Sequence, residues 1–184
     1  MRARRIGYAS LISLLFLFPE ALQGQDATAN PYTAELKVQY KDVRRDLIES
    51  AEEMPAQKYD FRPTPEVRSF GQLVGHVIDD QYAICALARG ERNPRNSNES
   101  AERAGGSKSE LVEALRKAFE YCDTIYETLT DASAAQRVRS YDGTMQPRMQ
   151  LLTINTNHAN VHYGNVIVYL RMNGLVPPST SRRK

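Results

Sequence analysis

The chain has 184 residues, with 24 Lys and Arg against 22 Asp and Glu, and a formal net charge of +2. Arg2, Arg4 and Arg5 against Glu20 account for that excess, so residues 25–184 are formally neutral and lack the basic stripe that nucleic acid selects. The length suits one domain able to bury a proper core.

Residues 1–24 have the layout of a secretory signal peptide: three early arginines, an apolar run from Ile6 to Phe18, and a small-residue exit from Pro19 to Gly24. The apolar run falls short of the roughly 18–20 residues that span a bilayer, so no stable membrane insertion is expected. Cleavage is expected after Gly24, with Ala21 the less attractive alternative because it leaves a hydrophobic stub. The mature product, residues 25–184, is then periplasmic or secreted. In such an oxidising compartment Cys85 and Cys122 could pair, although burial as two small apolar residues explains them equally well.

Four long helices follow in chain order. Asn30 and Pro31 open the first, which carries Leu36, Tyr40, Val43 and Leu47 on one face and stops near Glu53 before Pro55. Three prolines make Pro55–Val67 a loop. Ser69 and Gln72 then form a capping box for a helix ending near Gly90. From Arg92 to Ser107 the chain is rich in Asn, Ser, Gly and charge, the composition of a mobile connection. Ser107 and Glu110 cap a third helix whose stripe runs from Leu111 through Leu115, Phe119 and Cys122 to Leu129. After a turn at Asp142–Gly143, Pro147 opens a last helix that continues to about Asn173, before Gly174 and Pro177–Pro178. No period-two run bounded by hairpin signals is evident, and the expected fold is an all-α four-helix bundle.

All three histidines fall where one metal ion could use them. His158 and His162 are four residues apart on the last helix, so both project from one face; His76 lies on the second. Three imidazoles without an obvious fourth protein ligand leave a position open, as in catalytic zinc sites. Cys85, nine residues beyond His76, lies half a turn from that face and is excluded as a ligand. On the last helix Leu151, Asn155, His158, His162, Asn165 and Tyr169 share a stripe that is polar at its centre. Either this stripe is the solvent face, with Leu152, Val161, Val166 and Val168 among the residues packing inward, or it lines a polar cavity.

The segment from His158-Ala-Asn-Val-His162 to Gly174-Leu-Val-Pro-Pro resembles the closing helix of the DinB-like (DinB/YfiT) superfamily. Ser69-Phe-Gly-Gln-Leu-Val-Gly-His76 resembles that family's second-helix entry. The resemblance implies a four-helix bundle of the DinB/YfiT type, often dimeric, with His76, His158 and His162 as ligands of a divalent metal. Some relatives are metal-dependent transferases or isomerases that use a low-molecular-weight thiol, a cytosolic cofactor at odds with export. A histidine-bound Zn²⁺ or Ni²⁺ can polarise a carbonyl or acidify water, so hydrolysis is available without such a thiol.

Asp80, four residues after His76, could orient an imidazole, serve as the catalytic base, or complete the coordination shell. Asp79 is its nearby competitor. Asn165 and Tyr169 are candidate outer donors, and Arg171 a candidate for a substrate carboxylate. Two functional classes remain open: an exported metal-dependent hydrolase or transferase acting on a small molecule, and a metal-stabilised binding module without turnover.

Overall fold

The structure, a computed structural model, describes residues 29–95 and 97–183; the expected signal peptide lies outside the described residues. Four long helices form the body: α1 (Pro31–Glu53), α2 (Phe70–Arg89), α4 (Lys108–Glu127) and α6 (Arg148–Met172). Short helices α3 (Ala101–Ala104) and α5 (Asp131–Ala134) lie in the connections, and α7 (Pro178–Ser181) follows α6. Each long helix packs on two others in a square, α1 against α4 and α6, α2 against the same two, so that α1 and α2 stand on opposite corners.

Local chemistry explains the boundaries. Both expected capping boxes form, Ser69 with Gln72 and Ser107 with Glu110, each satisfying a free backbone N–H at a helix start. Gly90 ends α2 at φ 74°, a left-handed conformation that costs glycine little. Between the helices lies one continuous core, in which Tyr40 of α1 stacks on Tyr126 of α4 with ring centroids 3.7 Å apart. Cys85 and Cys122 are bonded, joining α2 to α4 with Cα atoms 5.5 Å apart. No helix among the described residues is long and apolar enough to cross a membrane.

Two expectations are corrected. A small antiparallel hairpin, β1 (Arg137–Arg139) and β2 (Met145–Pro147), precedes α6, turning through Gly143 at φ 83°. Its strands are three residues each, too short for a period-two pattern to register. The segment after Arg92 contains an ordered helix, α3, docked on α2.

A candidate metal centre between α2 and α6

The polar stripe of α6 faces inward. Leu151, Asn155, His162 and Tyr169 are buried and His158 is half-buried, whereas Val161 and Val168 are 61% and 49% exposed. Leu152, Val166 and Leu170 pack into the core as well, so α6 is buried on more than one side. Of the stripe, only Asn165 is exposed.

The helical spacing of four brings His158 Nε2 and His162 Nε2 to 3.0 Å of each other. Opposite them α2 offers His76 and, one turn on, Asp80. Asp80 Oδ2 is 3.0 Å from His76 Nε2 and 3.2 Å from His158 Nδ1. One ligand atom from each of His76, Asp80, His158 and His162 lies within 4.8 Å of all the others. Neither contact of Asp80 Oδ2 is aligned as a hydrogen bond, which leaves a buried acceptor unsatisfied among imidazole nitrogens. Such an orphan is costly unless something positive is added. Three imidazoles and one carboxylate are a donor set that a first-row divalent cation takes readily. The residues therefore fit a metal.

The electrostatics agree. Burial, followed by the neighbouring His158 and His76, pushes the His162 imidazole down to about 4, so it is neutral and able to coordinate at pH 7. Burial raises the Asp80 carboxyl above its ordinary value, outweighing the opposite pull of His76 and His158. Cys85 lies away from the cluster, consistent with its exclusion as a ligand.

Asp80, for which completing the coordination shell was one of three expected roles, stands within the same group of ligand atoms as the histidines. Asp79 serves elsewhere. Its carboxylate accepts from the backbone N–H of Ala101 at 2.8 Å and of Glu102 at 3.1 Å, and from the Ser100 hydroxyl at 2.7 Å. The Tyr169 hydroxyl donates to the Arg68 carbonyl at 2.6 Å, pinning the loop before α2. Asn165 Nδ2 is 3.5 Å from His162 Nδ1. Arg171 is exposed. Asn155 belongs to a separate polar layer, donating to Gln81 Oε1 at 3.2 Å.

Two participants escaped the sequence reading. Glu102 of α3 accepts a hydrogen bond from His76 Nδ1 at 3.0 Å, and Arg68 Nε donates to Glu102 at 2.8 Å. Burial would raise the Glu102 pKa, but hydrogen bonding and charge from Arg68 and His76 hold it below the usual carboxylate range. The available signal was Gly75, a helix-interior glycine beside His76, which marks close backbone approach. A cavity of about 540 Å³ adjoins the cluster, lined among others by Arg68, Glu102, His162, Asn165, Val168 and Tyr169.

The family profile of the DinB superfamily matches residues 39–166. The chain belongs to the DinB superfamily. Among solved structures, a DinB-like protein from Bacillus cereus superposes with a TM-score of 0.66 at 16% identity, covering 79% of this chain and 95% of that one. A DinB-like protein from Bacillus subtilis gives 0.60 at 20% identity, covering 76% and 92%. A mycothiol-dependent maleylpyruvate isomerase gives 0.60 at 13% identity, covering 73% of this chain and 60% of the isomerase. These likenesses establish the shared DinB fold. No curated protein matches the sequence.

Proposed function

We propose that this DinB-superfamily member is an exported metal-dependent hydrolase or transferase acting on a small molecule. The observation that carries the reading is the convergence of His76, His158, His162 and Asp80 beside the cavity into which His162 also faces. In this reading the three imidazoles hold one Zn²⁺ or Ni²⁺ per chain. The ion, when bound, supplies Lewis acidity toward a carbonyl or a water in the cavity.

The protein's own groups do the remainder. Asp80 is the proton acceptor, its Oδ2 directed into the cluster and free of any competing hydrogen-bond donor. Val67, Leu73 and Val168 give the cavity an apolar wall, while Asn165 and Arg68 provide polar contacts for the substrate. Hydrolysis is favoured over thiol transfer because the signal-peptide layout and the Cys85–Cys122 disulfide both suit an oxidising compartment. The working assembly is a homodimer, for which the exposed Val161 and Met172 of α6 offer apolar contacts. Light scattering of the purified protein checks that assembly.

One observation favours a second reading. Asp80 Oδ2 lies close enough to all three histidines to serve as a fourth ligand, which would close the site and make the protein a metal-stabilised binding module. Asp80→Asn separates the two. If Asp80 is the base, the variant retains the metal by elemental analysis and loses most turnover against an ester, amide and thiol-transfer panel. Loss of the metal itself, with an inactive wild type across the panel, establishes the binding module instead. Intact-mass analysis of protein from a native-like host tests export: a mature chain starting near Gln25 is expected, and a full-length soluble product sinks it.

A further inference from the structure

We infer that Glu102 is the outer carboxylate of the metal centre and that α3, carried on the connection between α2 and α4, is a built part of that centre. This rests on the metal-binding reading above. The inference begins with the two nitrogens of His76. Nδ1 is 3.0 Å from Glu102 Oε2, and Nε2 faces Asp80 in the cluster. Of the two carboxylates beside the ring only Glu102 meets it as a hydrogen bond, and because a carboxylate only accepts, Nδ1 carries the proton and Nε2 is left with its lone pair toward the ligand position. A carboxylate bound to the far nitrogen of a ligand imidazole fixes its tautomer and ring orientation and raises its basicity.

Glu102 sits on a helix of four residues, which needs anchoring before it can orient anything. Three features of α2 and its approach provide that anchor. Asp79 accepts from both backbone N–H groups at the start of α3 and from the Ser100 hydroxyl. Gly75 lets the two backbones meet: a Cβ there would lie 2.6 Å from Glu102 N and 2.7 Å from the Ala101 carbonyl, distances that side chains do not reach. Arg68 holds the other carboxylate oxygen of Glu102 at 2.8 Å and neutralises its charge. Thus Gly75, His76 and Asp79, within five residues of one helix, seat α3, orient the ligand and lock the seat. Glu102 and Asp79 are positioning residues, acting on the metal through His76.

The test uses Co²⁺ and Zn²⁺ as probes on the full mature chain. Affinity is measured by chelator competition, the ligand field by the Co²⁺ absorption spectrum, and the His76 tautomer by ¹⁵N NMR; apo-protein melting is followed in parallel. Glu102→Ala and Asp79→Asn are each expected to weaken metal binding about 10–100-fold, the range for lost outer-sphere partners. Glu102→Gln, which keeps an acceptor oxygen without the charge, should fall between wild type and Glu102→Ala. Because both residues act through one device, the Asp79→Asn/Glu102→Ala pair should lose little more than Glu102→Ala alone. The His76 Nδ1 resonance should change in every one of these variants, while Glu113→Gln, on an exposed α4 pair, changes nothing.

Unchanged affinity, Co²⁺ spectrum and His76 shifts in Glu102→Ala would overturn the inference. So would affinity losses that merely track lower melting temperatures with an unaltered ligand field. A wild-type protein that binds neither ion refutes the metal reading itself, and this inference with it. A wild type that binds normally alongside indifferent variants refutes only the role of Glu102.

Discussion

Helices α2 and α6 carry two polar clusters barely one turn apart, and the two are satisfied in opposite ways. In the first, Gln81 and Asn155 are both 1% exposed, Asn155 donates to Gln81, and the Tyr126 hydroxyl donates to the Leu152 carbonyl at 2.8 Å. No side-chain atom of this layer is left as a buried orphan, and its bonds tie α2, α4 and α6 together. In the second, Asp80, His158 and His162 bring an orphan carboxylate oxygen and facing imidazole nitrogens together. Acceptors are in surplus, and only an added cation or protons balance them. Polarity at a bundle seam therefore does not by itself mark a site; the sign of the hydrogen-bond imbalance does.

The largest way to break this contrast is to remove a ligand. His76→Ala, His158→Ala and His162→Ala should each cost more metal affinity than the roughly 100-fold expected of outer-sphere changes, as read by elemental analysis. Asn155→Ala, three residues from His158, should instead keep full metal stoichiometry and lose about 1–3 kcal/mol of stability, because Gln81 is left unsatisfied. Full occupancy in His76→Ala would remove His76 from the ligand set. Lowering the pH sharpens the same point, since protons compete with the metal for imidazole nitrogens. Occupancy should fall as pH drops from 7 toward 5, whereas the Gln81–Asn155 layer contains nothing that titrates in that range.

The Cys85–Cys122 bond is the next lever. It closes a loop of 37 residues in sequence, and constraint of the unfolded chain over that length stabilises by about 4 kcal/mol at most. Cys85→Ala/Cys122→Ala should melt well below wild type yet bind metal with unchanged stoichiometry, because the bond joins α2 to α4 away from the cluster. Denaturant unfolding with and without metal checks both halves of this expectation.

How legible each region was follows from the range of its interactions. Ser69 with Gln72, Ser107 with Glu110, and Gly90 act within a turn of themselves, so their roles stand in the sequence and the helix boundaries follow. The His158/His162 pair is local for the same reason. Glu102 was hidden because its partner His76 is 26 residues away and its segment has the composition of a loose connection. Asp80 was visible through its spacing of four from His76, but its approach to His158 depends on how α2 meets α6, which periodicity alone does not fix. Which side of α6 is buried stayed open in the sequence, because a helix that is apolar on several sides leaves it undetermined; the polar stripe faces inward and Val161 and Val168 are exposed.

The smallest effect expected lies at the opposite end of the bundle, where α1 begins. Asn30 does not cap its own helix; its Oδ1 accepts from the Asp131 backbone N–H at 2.9 Å. Asp131 of α5 returns the bond, its Oδ1 accepting from Thr33 N at 2.9 Å and the Thr33 hydroxyl at 2.8 Å. A carboxylate at a helix N-terminus is favoured by the unpaired N–H groups and the helix dipole. Although partial burial acts to raise it, the hydrogen bonds from Thr33 and Tyr32 and the charge of Lys37 hold the Asp131 pKa below its ordinary value. A carboxylate depressed in the folded state binds protons later than in the unfolded chain. Its stabilisation is therefore complete above an unfolded pKa of about 3.9 and is lost as pH falls through the folded value. Asp131→Asn, measured in the metal-free protein, should melt slightly lower than wild type at pH 7, and the two curves should converge as Asp131 titrates in acid. A difference that stays constant down to the lowest pH would show that shape, rather than charge, secures the start of α1.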